Sequence, residues 1–265
     1  MTQFHARKPP PPIEDHISEI WMLEDDGEPR IGLPKPFVEF VVSIEGTHFW
    51  KSSKDGEEHV YTEGWVTPIQ DGPRYARAVS RRKLVGARLY PWFATECLGV
   101  LPSGDGVPPP DLASLVGPVA NELRSWLLEA DDDQMILDRF SLWLTEHIQA
   151  INAQKNRLQE LDLEQSTTVS ALAKNMNMSG PTLRRSFAAQ NGTSPKRWLV
   201  LRRIDKLLRD PRLADPESSL ADLAAEFGYA DQAHLCREMM RFVGTSPSTM
   251  RTRDPNYPPH MRMEE

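Results

Sequence analysis

A chain of 265 residues, 39% hydrophobic and 26% charged, has the composition of a globular protein and the length of two compact domains; no apolar run approaches the ~20 residues that cross a bilayer, so disordered and membrane-spanning classes are excluded. The formal net charge of −7 argues against a nucleic-acid partner only until it is partitioned, because residues 1–164 carry 16 Lys and Arg against 27 Asp and Glu whereas residues 165–253 carry 14 against 8. A basic rear segment behind an acidic front is the footprint of a phosphate-neutralising surface, or of an ordinary solvated basic face.

The first residues, Met1 to Lys8 followed by four prolines, lack the apolar stretch of a secretory signal, so a cytoplasmic location is expected. From Phe37 to Trp92, β-branched and aromatic residues cluster between turn signals, in Phe37–Val42, His59–Tyr61 and Leu84–Tyr90, which predicts a β-sandwich or barrel. Asp55-Gly56, Asp71-Gly72-Pro73 and the proline-rich Leu101–Pro110 punctuate it, the last as the exit from the sheet. Between Asp111 and Ile151 the period becomes helical: Ile136, Phe140, Trp143, Leu144, His147 and Ile151 fall on one face, suited either to a core or to pairing two chains. The polar stretch Asn152–Gln165, with Leu158, Leu161 and Leu163 embedded, reads as the inter-domain connection and the start of a second domain. The expected fold is α+β: a β-sandwich or barrel-like domain ending in helices over 1–150, an all-α domain over 151–253, and a polar tail over 254–265. Cys97 and Cys236 are far apart and without a Cys-x-x-Cys partner, which predicts reduced thiols rather than a disulfide or zinc site.

The rear third repeats itself. Val169, Leu172, Ala173, Asn177 and Met178 recur 51 residues later as Leu220, Leu223, Ala224, Gly228 and Tyr229. After one inserted residue, Ser179, Leu183, Phe187 and Gly192-Thr193-Ser194-Pro195 recur as Asp231, Leu235, Met239 and Gly244-Thr245-Ser246-Pro247. Each copy has a short amphipathic helix, a small residue where two helices must approach, a turn residue tolerant of left-handed backbone (Asn177, Gly228) and an N-cap (Ser179, Asp231) opening a second helix. This is helix-turn-helix anatomy. Ser194-Pro195 starts a connecting helix with a buried stripe of Trp198, Leu201, Ile204 and Leu208.

In the second helix of each copy, Leu183 with Phe187 and Leu235 with Met239 face inward, leaving Gly180, Pro181, Arg184 and Arg185, and Gln232, Ala233, Cys236 and Arg237, facing outward. Arg can bond a guanine edge, and Gln an adenine edge, through two hydrogen bonds, so Arg184, Arg185, Gln232 and Arg237 are the chief base-reading candidates. Gly180, Pro181, Ala233 and Cys236 complete that surface through shape and apolar contact. Ser179, Thr182 and His234 at helix starts, with Lys196, Arg197, Arg202, Arg203 and Arg241 near helix starts or on polar faces, are candidates for phosphate contact. Lys206 and Arg209 read as solvated.

These residues, over about 165–253, resemble the AraC-type transcription regulators, whose C-terminal unit is two helix-turn-helix motifs joined by one helix. The stretch Leu220 to Glu238 with Gly244-Thr245-Ser246-Pro247 is similar to the family signature. Two departures are Met239, where the family usually has phenylalanine and methionine can fill the same gap, and Pro181, where it commonly carries a larger contacting side chain. The front half resembles, through Leu33–Phe40 and Val85–Pro91, a β-rich domain often found ahead of this unit. What the resemblance implies is a sequence-specific regulator that binds double-stranded DNA, with a front domain that senses a small molecule or pairs two chains; RNA polymerase is a further partner it leaves open. The alternative is a DNA-alkylation repair enzyme carrying the same unit, with Cys97 as acceptor, although Cys97 lacks the neighbouring groups that would activate it. No protease, hydrolase, phosphate-loop or dinucleotide motif is present, Asp131-Asp132-Asp133 reads as a helix start, and His48, His59 and His147 are isolated, so neither catalysis nor a metal or other cofactor is expected.

Overall fold

A computed structural model of the protein describes residues 2–70, 72–99, 107–150, 166–251 and 261–263, with backbone alone at 96–97, 148–150 and 261–263. The predicted connection 151–165 and the side chain of Cys97 lie outside the described residues.

The front half holds strands β1 (Gln3–Arg7), β2 (Ile17–Asp25), β3 (Arg30–Gly32), β4 (Val38–Glu45), β5 (His48–Lys51), β6 (His59–Tyr61), β7 (Gly64–Thr67), β8 (Arg74–Ala78) and β9 (Arg82–Leu89). With β10 (Met261–Met263) they form two five-stranded antiparallel sheets, ordered β1-β2-β9-β4-β7 and β10-β3-β8-β5-β6. Alternation sorts each strand of the first sheet between two cores. Ile20 and Met22, Phe40 and Val42, and Val85 and Ala87 face helices, while Trp21, Leu23, Val41 and Leu84 join Trp50 and Tyr61 of the second sheet in the interior between the sheets. Gly86 in β9 permits this, since a Cβ there would lie 2.4 Å from Cζ2 of Trp21.

Helices α1 (Pro91–Leu98), α2 (Leu112–Val116), α3 (Val119–Leu128) and α4 (Asp133–Ala150) follow. The stripe on α4 belongs to the core: Ile136, Phe140 and Leu144 are buried, and Phe140 and Trp143 set their rings 6.0 and 5.7 Å from that of Phe40. The apolar cluster on the helix-facing side of the first sheet continues without a break from Ile13 through Phe93 and Phe140 to Phe187, Trp198 and Met250 of the rear third.

The segment expected as a polar tail contains β10, which pairs Met261 with Gly32 and Met263 with Arg30. Three residues are too few to show a period of two, and β3 supplies the edge, whose free backbone groups take a further strand.

Candidate nucleic-acid interface

The described residues of the rear third form helices α5 (Val169–Asn175), α6 (Gly180–Asn191), α7 (Pro195–Arg209), α8 (Leu220–Glu226), α9 (Gln232–Phe242) and α10 (Pro247–Met250). The repeat seen in the sequence is a repeat of local hydrogen bonding. Thr168 and Ser219 cap α5 and α8, accepting from the N–H of Ala171 and Asp222. Both helices then end alike: Met178 N–H donates to Ala173 O at 2.9 Å and Tyr229 N–H to Ala224 O at 2.8 Å, while Asn177 N–H and Gly228 N–H donate to Lys174 O and Ala225 O. That six-to-one closure requires left-handed backbone at its penultimate residue, and Asn177 and Gly228 have φ of 51° and 74°. Ser179 and Asp231 next cap α6 and α9 through the N–H of Thr182 and His234, and Ser194 and Ser246 cap α7 and α10.

This framework turns one face of each second helix inward. Leu183, Phe187, Leu235 and Met239 are all fully buried, so methionine fills the gap at 239 as expected. On the outer face Pro181, Thr182, Arg184 and Arg185 of α6, and Gln232, Ala233 and Arg237 of α9, are exposed, with Gly180 and Cys236 half-buried. α6 also packs against α1 of the front half.

Of the residues expected near phosphate, Ser179, Lys196 and Arg241 are exposed and Arg197 is half-buried. Arg202 and Arg203 depart from the polar-face placement expected of them. Arg202 is buried, its guanidinium 4.7 Å from the Trp198 ring, because a long side chain can lay its planar head on an aromatic face. Arg203 ties the connecting helix α7 to the second motif: it donates to Gly228 O at 2.8 Å and to Glu238 at 3.2 Å, and lies 4.5 Å from the Tyr229 ring. His234 is likewise engaged, its Nδ1 accepting from Ala230 N–H at 3.2 Å and its ring edge-on to Tyr229.

The connecting helix α7 is bound to the front half. Trp198 Nε1–H donates to Pro36 O at 3.2 Å, and Arg209, expected as solvated, reaches Glu19 at 3.5 Å and Asp205 at 3.0 Å. Glu19 in turn pairs with fully buried Arg88, Arg88 bonds Glu39 at 3.2 Å, and Glu39 pairs with Lys35. Burial pushes the Glu39 carboxyl up, but Lys35 and Arg88 outweigh it and hold the group below its ordinary value. Burial likewise lowers the Lys35 ammonium against the opposing pull of Glu39. Sequence reasoning missed this chain of charges; its trace was the presence of Glu39 and Arg88 at inward positions of otherwise apolar strands. Among the described residues no group of three or more His, Cys, Asp or Glu could hold a metal ion, and no helix is long and apolar enough to cross a membrane.

Comparison with known proteins agrees with the local geometry. Residues 172–253 match the family model for a helix-turn-helix domain. A curated relative, the probable thc operon regulatory protein of Rhodococcus erythropolis, is 31% identical over 90 residues, which are 34% of this chain and 27% of that protein, so the match spans about a quarter of the relative's length. Among solved structures, ToxT from Vibrio cholerae aligns at 7% identity with a TM-score of 0.47, over 93% of this chain and 97% of its own. Unsaturated fatty acid bound wild-type ToxT from Vibrio cholerae aligns at 10% and 0.47, over 100% and 97%. The AraC-like transcriptional activator CuxR aligns at 12% and 0.28, over 77% and 86%. The rear third of this chain, with its duplicated motif and the connecting helix α7, is a helix-turn-helix domain.

Proposed function

We propose that the chain is a sequence-specific DNA-binding transcription regulator working in the cytoplasm, in which α6 and α9 enter successive major-groove segments of one duplex. Arg184, Arg185, Gln232 and Arg237 read base edges, Gly180, Pro181, Ala233 and Cys236 contribute shape and apolar contact, and Ser179, Thr182, Lys196, Arg197, His234 and Arg241 hold phosphates. The observation that carries this reading is the pair of outward faces, equally capped and in one register, that leave Arg184, Arg185, Gln232 and Arg237 in solvent. The 15 residues of α7 span roughly 22 Å, and with the bodies of α6 and α9 this bridges the ~34 Å between groove segments.

Residues 1–150 act in this reading as a domain that senses a small molecule or pairs two copies, and 151–253 as the DNA-reading domain. The contacts of α7 with Pro36 and Glu19 support communication between them. Selection of duplexes from a random pool by the full chain tests the proposal: two sequence blocks about one helical turn apart are expected. Recovery of no enriched sequence overturns it.

A further inference from the structure

One side chain on the outer face of α9 has no part in the base and phosphate contacts proposed so far. Leu235, Met239 and Phe242 turn inward and are buried. With about 3.6 residues per turn, Ala233, Arg237 and Met240 fall within roughly 60° of one another on the opposite side, and all three are exposed. Met240 is 55% exposed, and among the described residues of the rear third it is the one large apolar side chain so placed; Val60, Val79, Val107, Leu128 and Leu142 belong to the front half. A single apolar side chain in solvent is ordinary on a protein surface. What gives this one meaning is its register with Arg237, on a helix whose other outward residues, Gln232, Ala233 and Cys236, are small or polar.

The internal repeat supplies a comparison. At the offset of 52 residues Ala233 corresponds to Pro181, Arg237 to Arg185 and Met240 to Ala188, and all six are exposed. Each outer face therefore sets an arginine between two apolar neighbours, one turn before it and one turn after. The two faces differ in reach. The side chain of Ala188 ends at Cβ, whereas that of Met240 runs on through Cγ and Sδ to a terminal methyl, flexible and polarizable enough to fill an irregular gap.

Major-groove chemistry gives such a side chain one target. The base edges there present hydrogen-bond donors and acceptors, which suit Arg and Gln, and a single apolar group, the 5-methyl of thymine. At about 1.5 Å per residue Met240 lies about 4.5 Å along α9 from Arg237. That displacement is close to the ~3.4 Å between successive bases, so the two side chains meet neighbouring pairs.

We propose that Met240 is a specificity-determining residue that packs on the 5-methyl group of a thymine adjacent to the base pair read by Arg237. The proposal rests on the reading of α9 as a groove-reading helix and adds one base to what that helix recognises. Covering one methyl carbon is worth about fourfold in affinity. Ala188 is too short to make the equivalent contact from α6.

The test uses the full chain and the duplex recovered by selection. Each thymine is replaced in turn by deoxyuridine, which removes the methyl and keeps the hydrogen bonds of the pair, and binding is followed by fluorescence anisotropy. Uracil beside the position that Arg237→Ala relaxes is expected to weaken the native chain about fourfold. Met240→Ala is expected to bind the thymine and uracil duplexes equally at that position, and Met240→Leu, apolar and of similar size, to keep the difference. Uracil elsewhere is expected to affect the native chain and Met240→Ala alike. Each thymine-to-uracil ratio is taken within one variant, so a loss of folded protein cancels. A Met240→Ala chain that keeps the fourfold difference overturns the contact, as does a selection that enriches bases but no thymine beside the Arg237 position. Failure of the regulator reading has a different signature: no sequence is enriched at all, and the contact falls with it.

Discussion

The salt dependence of DNA binding can be worked from which cations the fold leaves in solvent. Arg184, Arg185, Lys196, Arg237 and Arg241 are exposed, whereas Arg202 lies buried on Trp198 and Arg203 is committed to Gly228 O and Glu238. If the three cations assigned to phosphate, Lys196, Arg197 and Arg241, displace one counterion each, the slope of log K against log salt is about −2.7, and affinity falls about 40-fold between roughly 50 and 200 mM. Fluorescence anisotropy on a selected duplex measures this directly. Lys196→Ala is expected to reduce the slope by about 0.9. Arg203→Ala is expected to leave the slope unchanged and to lower folding stability by about 2 kcal/mol, because it takes the donor from Gly228 O and the partner from Glu238. A slope of about −1 or shallower would refute the count of phosphate contacts, and an Arg203→Ala slope that flattens as much as that of Lys196→Ala would refute its assignment as a tie between α7 and the second motif.

Arg237→Ala is expected to relax preference at one base position by about 1–3 kcal/mol, seen by repeating the duplex selection; a uniform loss over all sequences would assign it to phosphate. Burial, and then the Arg82 charge, hold His48 at about 4, below the ordinary 6.5. The unfolded chain therefore takes up this proton first, and stability present above about pH 6.5 is lost as pH falls towards about 4, by about 3 kcal/mol in all. Urea unfolding at several pH values should show that loss in the native sequence and much less of it in His48→Gln; equal pH slopes would contradict it. Gly228→Ala should cost about 1 kcal/mol, since the left-handed φ of 74° strains any Cβ although nothing lies within 4 Å of it. Gly86→Ala should cost about 1–3 kcal/mol and shift tryptophan emission, because its Cβ would meet Trp21 and Phe40 O; native stability would show that the indole moves aside freely.

Much of the rear third was legible because its determinants are local. A cap, a left-handed turn residue and a pair of apolar residues four apart all act within a dozen positions, and finding each twice fixed the register of α5–α6 and α8–α9. The β-rich front was legible as a class, through runs such as Phe37–Val42, but strand order was not. β2 pairs with β9 across some sixty residues, Ile20 opposite Ala87, and nothing local encodes that partner. The buried charges failed for the same reason. Arg88 or Glu39 alone stands out only as a charge in an apolar strand, and only the pairing of β4 with β9, which sets Glu39 opposite Arg88, brings them together. Arg202 and Arg203 were misplaced because exposure on a connecting helix depends on what packs over it, here Trp198 beneath one and the second motif beside the other.

The unbroken apolar cluster from Ile13 to Met250 bears on how such a chain can be re-engineered. Exchanging its front half for another would strip Trp198 of the Pro36 carbonyl and Arg209 of Glu19, so a chimera demands a redesigned seam rather than a spliced gene. Heat should melt the native molecule in one calorimetric peak, with no surviving fragment that melts later.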